Sequence, residues 1–216
     1  MNRRLLKRVE VQNLSKIFGA TPALRGQNTE FHAGTITILG GANGAGKSTL
    51  LSILGHQLKA TKGVVRMVTT DGLCLTKQEA RSQIGWLSHT TNCYQQLSGR
   101  ANIEILAKLH GIPAPEIERV TTRLHIGRFA ERPISTLSRG QSQRIALARA
   151  IVHQPALLLL DEPWTGLDTA SAKQLEAIVQ EEAERGAIVV IVSHQDGLAT
   201  KLNANSLLLK NGQLLK

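Results

Sequence analysis

From residue 8 the chain alternates, with Val9, Val11 and Leu14 set against Glu10, Gln12 and Asn13, the two-residue period of a half-buried strand. Residues 16–19 and the region of Pro22 read as a loop, 24–31 as a second strand and 32–34 as a turn. A strand follows at 35–39, then a helix-prone stretch at 50–54, and 64–68 reads as a hairpin strand with Asp71-Gly72 at its later turn. Ile84-Gly85-Trp86-Leu87 has the look of a short buried strand. In 99–109 and 115–124 the apolar residues fall at helical spacing, with Ile103, Leu106 and Ala107 in one and Ile117, Val120 and Leu124 in the other. Residues 156–160 (ALLLL) and 187–192 (AIVVIV) are apolar without interruption, as parallel strands covered on both faces are. A helical pattern at 170–183 joins them into a βαβ unit. The tail, 206–213, reads as a hairpin turning at Asn211-Gly212. These patterns predict one α/β domain over residues 1–216, with a mainly helical insertion at about 90–150.

The candidate chemistry sits at the ends of those strands. Between the strand at 35–39 and the helix at 50–54 runs Gly41-Ala42-Asn43-Gly44-Ala45-Gly46-Lys47-Ser48-Thr49. A loop that wraps a polyphosphate points successive backbone N–H groups inward, which needs glycine where a Cβ would clash or φ is positive. The helix that begins there adds unsatisfied N–H groups and the positive end of its dipole. Lys47 supplies a charge for the β- and γ-phosphates and Ser48 a hydroxyl for Mg²⁺, so the stretch predicts nucleoside triphosphate binding. Asp161-Glu162 closes the strand at 156–160, where open α/β sheets bind ligands. Asp161 suits Mg²⁺, and Glu162 suits a general base for an attacking water. Ser193-His194 ends the next buried strand, and the imidazole could hold that water in line with Glu162. Leu137-Ser138-Arg139-Gly140-Gln141 precedes a helix read over 142–152, giving a second phosphate-binding surface or an ordinary N-cap.

Composition narrows the setting. The chain is 42% hydrophobic and 19% charged, ordinary for a globular protein, and no apolar run approaches the roughly 20 residues of a membrane-spanning helix. The beginning of the chain is basic without the apolar stretch of a secretion signal. Cys74 and Cys93 lack the spacing of a metal site and read as reduced thiols. The formal charge is +10, dispersed apart from Arg3, Arg4, Lys7 and Arg8, and aromatics are 3% of the chain. With so few stacking residues, a basic face near a membrane is favoured over a nucleic-acid groove.

GANGAGKST, LSRGQ, LLLLDEP, TGLD at 165–168 and SH at 193–194, in this order, resemble the ATP-binding cassette (ABC) ATPases from about residue 8 onward. The resemblance implies a P-loop NTPase core with an antiparallel β subdomain and a helical insertion. It implies two cassettes packed head to tail, a homodimer in the simplest case, with ATP between the phosphate loop of one and the signature of the other. Phe18 would stack on adenine, residues 41–49 would hold the phosphates, and Asp161 the Mg²⁺. Glu162 would activate water, His194 would sense the γ-phosphate, and Asp168 would cross the dimer interface. Ser138, Gly140 and Gln141 would meet the partner's ATP, with Arg139 in place of the signature's first glycine. His89 stands where the family has a metal-coupling glutamine, and its imidazole could still bind water or metal.

The family's helical insertion docks separate membrane-spanning subunits, which implies a peripheral place at the cytoplasmic face of the cell membrane. The stretch IGWLSHTTNCYQQLSGRANIEILAKLHGI resembles the cassettes of cytochrome c maturation (haem exporter-type) transporters, which carry a histidine at the position of His89. A soluble ABC ATPase acting on ribosomes or nucleic acid is the alternative. Against it stand the single cassette and the absence of a heptad run between Lys47 and Ser138. A third possibility, an inactive nucleotide-binding subunit, is opposed by the intact Glu162 and His194.

Overall fold

The computed structural model describes residues 5–215, so Arg3 and Arg4 of the basic cluster lie outside it. The first half of the chain contains β1 (Leu6–Phe18), β2 (Thr21–His32), β3 (Ile36–Gly40), α1 (Lys47–Leu54), β4 (Lys62–Thr69), α2 (Lys77–Ser82) and β5 (Ile84–Leu87). Three helices follow, α3 (Gly99–Leu109), α4 (Ala114–Arg123) and α5 (Arg139–Ile151), with a 3-10 turn at Ile134–Thr136 before the last. The chain continues through β6 (Leu157–Asp161), α6 (Thr169–Glu184), β7 (Ile188–Val192), α7 (Leu198–Lys201), β8 (Asn205–Lys210) and β9 (Gln213–Leu215).

Two sheets form. One is antiparallel, in the order β2-β1-β4; the other is six-stranded, β5-β6-β7-β3-β8-β9, parallel except for β9. The uninterrupted apolar strands separate two cores by their pleat. Leu158, Leu160, Val189 and Ile191 face a core shared with residues of α3 to α6. Leu157, Leu159, Val190 and Val192 face α1 and the antiparallel sheet. All eight are at most 1% exposed, and each such side chain contributes roughly 1.5–3 kcal/mol of burial.

Three differences from the sequence expectation have physical causes. The residues read as a loop, 16–18 and 21–23, are the end of β1 and the start of β2. Register shifts at Val11/Leu14, Leu14/Lys16 and Lys16/Ile17 interrupt the pairing, and each bulge breaks the two-residue period that pattern reading relies on. The short α2 was not expected; Thr76 and Glu79 form a capping box at its start. Finally, α5 begins at Arg139 rather than 142, with Ser138 as its N-cap.

The helical segment is fastened at both ends. Asn102 is fully buried; its Nδ2 donates to the carbonyls of Tyr94 (3.0 Å) and Ser98 (2.9 Å), and its Oδ1 accepts the Tyr94 N–H at 2.8 Å. That ties α3 to the loop after β5. At the other end Arg123 Nη1 of α4 meets Glu182 Oε1 of α6 at 2.8 Å, and Arg185 Nη2 meets Glu182 Oε2 at 2.6 Å.

Candidate active site

Register gathers the chemistry. Leu39 of β3 pairs with Val192 of β7, Asp161 of β6 with the same Val192, and Leu87 of β5 with Leu160. Four parallel strands thus end at one level, and the segments leaving them meet outside their carboxyl ends, where open α/β sheets bind ligands. The result is an open cleft of about 570 Å³. The phosphate loop and the start of α1 supply Asn43, Gly44, Gly46, Lys47, Ser48 and Thr49; the other strand ends supply His89, Asp161, Glu162 and His194. Phe18 closes one side.

The loop's glycines are required by neighbours as well as by φ. A Cβ on Gly41, at φ +133°, would lie 2.1 Å from the Leu209 carbonyl oxygen, and one on Gly46, at φ +106°, 2.5 Å from that of Ala23. Gly41, Ala42 and Ala45 form the side of the loop turned toward β8, and the Gly212 N–H donates to the Ala45 carbonyl at 3.2 Å. Lys47 is 6% exposed. Its Nζ donates to the carbonyls of Gly41 (2.7 Å) and Ala42 (3.0 Å), so the ammonium lies across the loop. Burial lowers its pKa, with Glu162 and Asp161 opposing that shift.

Glu162 has φ +50°, the left-handed region that a non-glycine residue enters at a cost of about 1–3 kcal/mol. Its N–H is anchored on the Val192 carbonyl at 3.0 Å. Its Oε1 is buried without a hydrogen bond, although His194 Nε2 is 3.2 Å away. The contact is close but not aligned as a hydrogen bond, and it leaves a carboxylate lone pair free. Asp161 is 7% exposed, Ser48 is exposed, and both line the cleft. Ser48 and Asp161 are hard oxygen donors, which suit a Mg²⁺ that keeps several waters and takes its remaining oxygens from phosphate. Among the described residues no cluster of three or more His, Cys, Asp or Glu could cage an ion without such help. His89 is exposed on the rim.

Ser138, Gly140 and Gln141 do not line this cleft. Ser138 Oγ accepts the Gln141 N–H at 3.2 Å and Gln141 Oε1 accepts the Ser138 N–H at 3.0 Å, so both cap α5. Arg139 lies along Gly166, where a Cβ would come within 3.1 Å of its Cδ. Asp168 caps α6, its Oδ1 accepting the Ser171 N–H at 2.7 Å. Three lining residues were missed from sequence, Ala23, Thr165 and Val192. Thr165 belongs to the TGLD motif, which was a signal for it; Ala23 in β2 carried none.

The family model described as ABC transporter matches residues 24–165. The lipoprotein-releasing system ATP-binding protein LolD of Porphyromonas gingivalis is 35% identical over 200 residues, 88% of this chain and 91% of that protein. The lantibiotic transport ATP-binding protein SrtF of Streptococcus pyogenes is 30% identical over 186 residues, 86% of this chain and 80% of that one. The dimeric structure of MJ0796, a bacterial ABC transporter cassette, superposes with a TM-score of 0.86 at 26% identity, covering 96% of this chain and 97% of that one. The same cassette as a post-hydrolysis dimer bound to ADP and Pi superposes at 0.84, with 27% identity and the same coverage. The family match over residues 24–165, the relatives at 30% identity or more and the superposition on ABC cassettes together show that the chain belongs to the ABC transporters, as an ATPase cassette of that family.

Proposed function

We propose that the chain is the ATP-hydrolysing subunit of a transporter whose membrane-spanning subunits are separate chains, seated at the cytoplasmic face of the membrane and paired head to tail with a second copy. The convergence of the phosphate loop, Asp161-Glu162 and His194 in one cleft, with Ser138 and Gly140 outside it, carries the reading. A site whose γ-phosphate contacts are split this way works when another copy brings its own Ser138 and Gly140 to the open side. MJ0796, which has this fold, is described as a dimer.

In this reading residues 41–49 cradle the triphosphate through backbone N–H groups, and Lys47 leaves the Gly41 and Ala42 carbonyls for the phosphates. Phe18 stacks on the base. Ser48 and Asp161 hold Mg²⁺, with His89 near it; the ion neutralises charge on the phosphate oxygens when bound. The Glu162 carboxylate accepts a proton from water as that water's oxygen bonds to the γ-phosphorus and the bond to ADP breaks. His194, beside that carboxylate, orients the water and contacts the γ-phosphate.

The finer reading is a haem exporter-type cassette of cytochrome c maturation. It is supported by His89 together with Tyr94, Leu97 and Asn102, which stand at the positions where those cassettes carry histidine, tyrosine, leucine and asparagine. Lipoprotein release and lantibiotic transport, named for LolD and SrtF, are competing cargoes. The test of activity is Glu162→Gln, which retains ATP binding, lowers turnover by about two orders of magnitude or more and accumulates dimer in light scattering. Equal hydrolysis by the variant and the wild type would remove Glu162 as base. Co-purification with a membrane-spanning subunit in detergent tests the transporter assignment; ATPase stimulation by RNA or DNA instead would favour the soluble alternative.

A further inference from the structure

Phe18 stands at the tip of the β1–β2 hairpin, paired with Thr21 across Gly19-Ala20, and is 48% exposed. An aromatic side chain so placed samples its rotamers freely unless something holds it. Lys16 does so here. Its ammonium lies 4.9 Å from the centroid of the Phe18 ring, within the range of a cation–π contact. The same Nζ donates to the Lys59 carbonyl at 3.0 Å, so the cation is itself anchored. The strand end between them is tied to that segment too: the Ile17 N–H donates to Thr61 Oγ1 at 3.1 Å, and the Thr61 N–H to the Ser15 carbonyl at 2.8 Å.

We infer that Lys16 is a positioning residue for the nucleotide base: it holds the Phe18 ring from one face and leaves the other face to the base. The inference rests on the reading of Phe18 as the base platform and assigns the residue that orients it. A ring oriented before binding loses less side-chain freedom when the base arrives. The cation on one face also draws π density toward itself, which leaves the outward face better suited to an electron-rich purine. Because Lys16 acts through the ring, its influence covers nucleotides and does not extend to a polyphosphate that lacks a base.

The experiment measures binding of ATP and of inorganic tripolyphosphate, both with Mg²⁺, to the wild-type chain, Lys16→Ala, Lys16→Arg and Phe18→Ala. Lys16→Ala is expected to weaken ATP binding about two- to five-fold, the worth of an exposed cation–π contact, with tripolyphosphate affinity unchanged. Lys16→Arg restores ATP affinity, and Lys16→Ala has no further effect in the Phe18→Ala background. Unchanged ATP affinity in Lys16→Ala overturns the inference, as does an equal loss for tripolyphosphate, which would make Lys16 a phosphate contact. If Phe18→Ala itself leaves ATP affinity intact, the base platform fails, a different failure from that of Lys16. A melting temperature without nucleotide, compared across the variants, separates loss of folding from loss of the stack.

Discussion

Asp168 shows one side chain fixed by local chemistry before any partner is involved. It caps α6 by accepting the Ser171 N–H, and that hydrogen bond to the charged form is the main cause of its lowered pKa. A depressed carboxylate contributes stability that is complete above its unfolded pKa and is lost as the pH falls through the folded value. Asp168→Ala is therefore expected to lower the melting temperature at neutral pH, and the gap to wild type should close as the pH falls below the ordinary carboxylate range. Thermal unfolding over a series of pH values checks this. At this scale the site was largely legible, because strand-end residues such as Asp161, Glu162 and His194 are announced by the apolar runs before them. The left-handed backbone of Glu162 was not. Nothing in the residue type asks for it; it follows from anchoring the Glu162 N–H on the neighbouring strand. Ala23 was equally silent, since it enters the cleft from a strand whose start reads as a loop.

Elements depend on close approaches that their own pattern does not display. Gly85 sits in the middle of β5, where a Cβ would meet the Ala150 carbonyl oxygen at 2.3 Å and Pro155 Cγ at 2.6 Å. The end of α5 thus rests directly on the strand that leads to His89. Gly85→Ala should cost about 1–3 kcal/mol as an overpacked contact, read as a fall in the urea midpoint. An unchanged midpoint would mean that β5 and α5 move apart freely. The strands β6 and β7 were legible because burial on both faces leaves uninterrupted apolar sequence. β1 was legible only to Leu14, since its bulges shift polar residues such as Lys16 out of phase. The capping box of Thr76 and Glu79 was present in the sequence, yet α2 is too short to show an apolar period beside it.

At the scale of the molecule, the helical segment is joined to the parallel core by a small ionic cluster. Glu182 is 2% exposed and holds Arg123 of α4 with one oxygen and Arg185 with the other; Arg185 Nη2 also donates to the Pro155 carbonyl at 2.7 Å. Removing Glu182 would leave Arg123 with Glu181, to which its Nε donates at 2.8 Å, and Arg185 with the Pro155 carbonyl, so only part of the loss of a fully buried pair follows. Glu182→Ala is accordingly expected to cost about 1–3 kcal/mol, measured by chemical denaturation. A change below 1 kcal/mol, the scale of an exposed ion pair, would show that water replaces the carboxylate. Sequence alone did not reveal this cluster, because Arg123 and Glu182 are distant in the chain and look like ordinary charged helix faces. The α/β class and the helical insertion were readable. Their fastening was not.

The hairpin of β8 and β9 backs the phosphate loop: the Leu209 carbonyl lies against Gly41, and Gly212 bonds to Ala45. Buried Gln27 locks that hairpin to β2, accepting the Leu214 N–H at 2.7 Å and donating to the Gly212 carbonyl. Synthesis runs in the opposite order to this support. A chain still on the ribosome, made as far as Leu202, has every motif through His194 but no back wall behind its phosphate loop. Without it Gly41 of the phosphate loop lacks the carbonyl it is shaped against, so the loop gains its full support only once β8 and β9 are in place.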